Sequence, residues 1–182
     1  NNNRCSVTTN AIVNSLPTIT GSTSVCQFGT LSLTGSGTAA SSNPWTSSNT
    51  TIATVSNTGS LFGVGSGNVT ISYTNNKGCT ETQIITVNGQ PSVSVSPSSA
   101  TISPGGSQSL TASGANSYAW SPSATLSSST GSSVTATPST TTTYDVIGTD
   151  SKGCKDTTQV TVTVLSSLSA GSISGSQTIC YG

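Results

Sequence analysis

The sequence predicts an all-β chain of tandem β-sandwich modules arranged end to end. Three observations carry that prediction: an internal repeat with two whole copies in the chain, period-two alternation inside each repeat, and an unusual composition. Ser and Thr together supply 73 of the 182 residues. Thr, Val and Ile are stiff at χ1 and suit a pleated, half-buried surface. Charged residues make up 4% of the chain, against about 25% in ordinary domains. Disorder usually accompanies high net charge and a shortage of β-branched residues. Here the formal net charge is zero and β-branched residues abound, so a folded β protein is expected.

The repeat is legible in five markers. Asn1-Asn2-Asn3-Arg4-Cys5, Asn75-Asn76-Lys77-Gly78-Cys79 and Asp150-Ser151-Lys152-Gly153-Cys154 are polar turns carrying a basic residue and ending in Cys. Their cysteines are evenly spaced to within one position, and Trp45 and Trp120 keep the same interval. Leu33-Thr34-Gly35-Ser36-Gly37 returns about one period on as Leu110-Thr111-Ala112-Ser113-Gly114. Gly21-Ser22-Thr23-Ser24-Val25-Cys26 returns two periods on as Gly175-Ser176-Gln177-Thr178-Ile179-Cys180. A fixed period of this length marks a modular array. It divides the chain into the last strand of a preceding module (1–14), two whole modules (15–90 and 91–165) and the start of a following one (166–182). The chain opens and closes in mid-pattern, which is expected of an internal stretch of a longer protein.

Within a module the period is two. Val160, Val162 and Val164 alternate with Thr161 and Thr163, and Val69, Ile71 and Tyr73 with Thr70 and Ser72. Such strands bury one face, and turn clusters every 8–12 residues or so fit a sandwich. The linkers, Asn88-Gly89-Gln90-Pro91 and 166–171, are short and imply a stiff rod.

Several function classes are excluded. With zero net charge and no basic stripe, nucleic acid is not an expected partner. No apolar run approaches the ~20 residues that span a bilayer, so no membrane span is expected. Acid–base catalysis needs a positioned carboxylate pair or a His. His is absent, module one holds the single acid Glu81, and Asp145, Asp150 and Asp156 are sparse. No enzyme activity, cofactor or metal is expected. Asp150 with Asp156 falls short of the several carboxylates that calcium favours.

Trp45-Thr46-Ser47-Ser48-Asn49, Ile52-Ala53-Thr54-Val55-Ser56, Gly59, Gly63-Val64, Gly67 and Val69-Thr70-Ile71 together resemble the group 2 bacterial Ig-like domain of invasin- and intimin-like surface proteins. The second module carries Tyr118-Ala119-Trp120-Ser121-Pro122, the Thr-rich run 140–144 and the turn 150–154. It resembles the Ig-like or PKD-like repeats of very large Bacteroidota surface proteins, often exported by type IX secretion. The resemblance implies Ig-like sandwiches and a Cys26–Cys79 disulfide in module one. In module two Ser103 stands where Cys26 aligns, so Cys154 has no partner inside its own module. Two outcomes are open for it: a thiol tucked behind Tyr144 and Val146, which is preferred, or a bond to a neighbouring module or chain. Cys5 and Cys180 belong to modules only partly present and are expected to be unpaired or bonded elsewhere.

Trp45 and Trp120 hold one fixed place in the repeat and are read as core aromatics rather than sugar-stacking platforms, with Tyr73 and Tyr144 at the core edge. Asn49 and Asn68 open formal N-glycosylation sequons, read as chance matches in a Thr-rich chain. Asp156-Thr157-Thr158 resembles the short O-glycosylation motif of Bacteroidota secreted proteins, with Thr157 as acceptor. The expected function is an extracellular structural or adhesive repeat region, forming a stalk or filament on the cell surface. Its expected partners are neighbouring modules and, through lateral self-association, other copies. The alternatives are a module binding a surface glycan or protein, and a spacer beside an enzyme domain.

Overall fold

The computed structural model describes residues 13–166 and Tyr181. Among these residues every regular element is a β-strand. Most of the first and last partial modules, with Cys5 and Cys180, lies outside the described residues. The chain divides into two compact units. The first is Asn1–Gln90 with Ser151–Cys154, and the second is Pro91–Asp150 with Lys155–Gly182.

The first unit has nine strands. They are β1 (Ile19–Thr20), β2 (Ser24–Cys26), β3 (Thr30–Ser32), β4 (Thr34–Gly35), β5 (Trp45–Ser47), β6 (Ala53–Val55), β7 (Ser60–Gly63), β8 (Gly67–Thr74) and β9 (Thr80–Asn88). The strands form sheets ordered β2-β9-β8-β5, β3-β7-β6 and β1-β4. One strand is broken at Leu33, between β3 and β4. Its side chain is buried, and its N–H donates to the Gly59 carbonyl rather than to the ladder. Val69, Ile71 and Tyr73 of β8 and Ile85 and Val87 of β9 point inward to meet Leu61 of β7 and Leu33. The Trp45 and Tyr73 ring centroids lie 4.6 Å apart with the planes tilted by 43°.

Gly59 fixes how this core closes. Its φ is +83°, and an added Cβ would collide with the Leu33 carbonyl and approach the Trp45 ring at 3.2 Å. Gly59→Ala therefore combines left-handed strain with overpacking and is expected to destabilise the unit by roughly 2–4 kcal/mol. Urea denaturation followed by tryptophan fluorescence measures this.

The second unit has seven strands: β10 (Ser94–Ser96), β11 (Ser99–Ile102), β12 (Gln108–Ser113), β13 (Ser117–Ser121), β14 (Ser133–Ala136), β15 (Thr142–Thr149) and β16 (Lys155–Val164). They form sheets ordered β10-β12-β14 and β11-β16-β15-β13. Leu110, Ala112, Val134 and Ala136 of the first sheet share one core with Trp120, Tyr144, Val146, Val160 and Val162 of the second. That is an Ig-like sandwich. In both units the early strand beside the last one runs parallel to it: β2 beside β9, β11 beside β16.

The cysteines do not pair as expected. Cys26 is bonded to Cys154, with their Cα atoms 5.5 Å apart, and Cys79 is a free thiol. The Cys26–Cys79 bond and the tucked thiol at Cys154 are both corrected by this. The reason lies in strand direction. Cys26 pairs with Asn88, the last residue of β9, whereas Cys79 precedes Thr80, the first. Nine residues at ~3.3 Å each put the two cysteines roughly 30 Å apart along the strand. A disulfide needs its Cα atoms within about 4.4–6.8 Å.

Candidate functional site

The carboxylates of Asp145, Asp156 and Glu81 serve local structure. Asp145 Oδ1 accepts from Gln159 Nε2 at 2.6 Å across β15 and β16. Asp156 Oδ2 accepts the Val93 N–H at 3.2 Å, and Glu81 Oε1 accepts the Thr82 N–H at 3.1 Å. Among the described residues no three His, Cys, Asp or Glu side chains gather where they could hold a metal ion. No helix among them is long and apolar enough to cross a membrane.

Two features remain as candidates. One is the outward surface of the sheets. Alternation turns Thr143, Asp145 and Ile147 of β15 and Thr157, Gln159, Thr161 and Thr163 of β16 away from the core. Directly opposed hydroxyls bond one another: Thr143 with Thr161 at 2.8 Å, Thr74 with Thr80 at 2.8 Å, Ser94 with Ser113 at 2.9 Å. Such cross-strand pairs stabilise the sheet and keep its surface polar without charge.

The other is the hairpin turn that ends in cysteine. In the first unit Asn75 organises it. The Asn75 Oδ1 accepts the N–H groups of Lys77 at 3.0 Å and Cys79 at 3.1 Å, and its side chain is buried. Gly78 supplies φ +77° and Gly153 φ +84°, a conformation that glycine adopts without steric cost. Thr74 pairs with Thr80, and Thr149 with Lys155, so Cys79 and Cys154 occupy the same place in the same hairpin. Cys154 is buried and bonded to Cys26, while Cys79 is half-buried.

All four aromatics singled out from the sequence are buried: Trp45 at 6% exposure, Trp120 at 3%, Tyr73 at 2% and Tyr144 at 0%. Trp120 Nε1 donates to the Gly131 carbonyl at 2.9 Å, and the Tyr144 hydroxyl bonds Thr125 Oγ1 at 2.7 Å. Asn49, Asn68 and Thr157 are exposed. Asn49 Oδ1 accepts from Thr51, and Asn68 Oδ1 from the Thr86 hydroxyl at 2.9 Å. Three exposed aromatics were not expected from the sequence: Phe28 at 59%, Phe62 at 39% and Tyr181 at 99%. Phe28 sits at φ +63°, where the corresponding turn of the second unit has Gly105 at φ +76°. That glycine was the available signal, since a bulky residue in a glycine's place is costly.

Residues 7–87 match the bacterial Ig-like domain (group 2), a stretch that includes β1–β8 and all but the last residue of β9. Among curated proteins no match is found. Of the solved structures, an intimin mutant of EHEC O157:H7 is 24% identical with a TM-score of 0.36, over 44% of this chain and 50% of the other. Intimin in complex with Tir90 is 26% identical with a TM-score of 0.35, over the same shares. The S-layer protein rSbsC(31-844) is 16% identical with a TM-score of 0.35, over 83% of this chain and 28% of the other. The chain therefore spans half the length of the intimin chains and less than a third of the S-layer protein.

Proposed function

We propose that this chain is a non-catalytic, extracellular repeat region that works as a stalk on the cell surface, holding whatever it carries away from the envelope. The observation that carries the reading is the placement of the aromatics. Trp45, Trp120, Tyr73 and Tyr144 are all spent on the cores, while the outward strand faces carry mostly hydroxyls. A glycan-stacking module needs its large aromatics exposed. The group 2 bacterial Ig-like match over residues 7–87 adds support. A surface hydrated by hydroxyls makes contacts that depend little on salt. With near-zero net charge, little repulsion opposes side-by-side association of copies.

Antibody raised against residues 15–165 tests the location. It is expected to label intact, unpermeabilised cells as strongly as lysed ones. Labelling that appears only after permeabilisation contradicts the proposal.

A second reading rests on Phe28. A large apolar side chain held at positive φ on an exposed turn is the kind of cost a protein-binding contact retains. If binding is the function, Phe28→Ser abolishes cell or protein attachment while leaving surface labelling unchanged.

A further inference from the structure

We propose that the Cys26–Cys154 disulfide is a tension shunt: a pull along the chain crosses from residue 26 to residue 154 through the two sulfurs, and both sandwich cores stay out of the load path. The load rests on the stalk reading, since a stalk that holds something at a distance is pulled along its length. The path rests on the disulfide alone.

Covalent connectivity sets the route. The bond joins residues 128 apart in the sequence whose Cα atoms are 5.5 Å apart. Tension follows the shortest covalent path, so residues 27–153 stand outside it as a closed loop. Among the described residues, every buried member of the first core lies in that loop, Trp45 and Tyr73 included. Of the buried residues of the second core, Val160 and Val162 alone lie outside it. A Cys26–Cys79 bond would have left Ile85, Val87 and the whole second core under load.

The strands that remain in the path gain little by stretching. Cys154 directly precedes β16, so the load enters that strand at Lys155 and leaves it at Val164. A strand rises about 3.3 Å per residue, against a limit of about 3.6 Å for a fully extended chain. β16 is therefore already close to its full length. It is also held on both sides, by β15 in antiparallel register and by β11 in parallel register. Before Cys26 the described path contains only β1 and β2, two and three residues long. Force favours unfolding only through the distance that unfolding gains. Along β16 that distance is close to zero, and inside the loop it is removed by the bond.

Single-molecule force spectroscopy tests this on the 182-residue chain, held by handles at its two ends with free thiols blocked by N-ethylmaleimide. The residues outside the loop, 1–25 and 155–182, can span roughly 20 nm at most, and the untreated chain is expected never to exceed that length. Dithiothreitol, which reduces the bond to two thiols and is itself oxidised to a cyclic disulfide, is expected to add roughly 45 nm. Cys26→Ser should add the same length without reductant. A third arm keeps the native bond and moves one handle from residue 1 to the exposed Asn57, through Asn57→p-azidophenylalanine. Residues 27–57 then come under load, and steps totalling roughly 10 nm are expected at forces where the end-held chain shows none. An untreated chain that stretches past roughly 20 nm, or one that behaves alike from both attachment points, overturns the proposal. Loss of surface labelling would end the stalk reading and leave these lengths unchanged.

Discussion

Cys26→Ser and Cys154→Ser are each expected to lower the stability of the chain by about 2–5 kcal/mol, the usual loss for a native disulfide. The bond joins residues 128 apart, for which the chain-entropy relation gives a ceiling of about 5 kcal/mol. In a chain of residues 1–182 alone, Cys79→Ser should change stability by less than about 0.5 kcal/mol, because it removes a half-buried thiol with one long contact. Urea denaturation of the three variants, with thiol counting on the native state, separates the two pairings. Equal losses for Cys26→Ser and Cys79→Ser would restore the Cys26–Cys79 bond.

Trp45→Ala and Trp120→Ala are each expected to cost about 3–5 kcal/mol, the loss for emptying an aromatic site in a packed core. In unit one the Trp45 ring lies against Tyr73 and beside Gly59, so removal opens a cavity beside the broken strand at Leu33. In unit two Trp120→Ala also removes the bond from Nε1 to the Gly131 carbonyl. Tyr144→Phe, which gives up only the bond to Thr125, should cost about 1 kcal/mol. Thermal and urea unfolding measure all three. Losses under about 1 kcal/mol for both tryptophans would show that they are surface residues free to bind.

The fold was legible because its signals are local. Alternation at Val69, Ile71 and Tyr73 and at Val160 and Val162 states which face is buried, and these residues line the cores. The break at Leu33 was not legible, since it depends on a backbone hydrogen bond to Gly59, which is remote in the sequence. The cysteine pairing was missed for a related reason. The order Cys–Trp–Cys suggests a bond within one module, but strand direction puts Cys26 and Cys79 at opposite ends of β9. One clue was present in the sequence. With Ser103 in place of a cysteine, the turn cysteine Cys154 needed a partner from another repeat. Phe28 was not legible because it keeps no place in the repeat: it occupies a turn whose counterpart in the second unit is Gly105.

The central claim, that tandem sandwiches serve as a surface stalk, is tested most directly by deleting residues 15–165 from the gene and measuring where the far end of the protein lies. Immunogold label on an epitope at the end remote from the envelope should move closer to the cell, by a distance that scales with the number of repeats removed, while surface labelling persists. Label that stays at the same distance after deletion, or that is lost because a ligand is no longer held, contradicts the account.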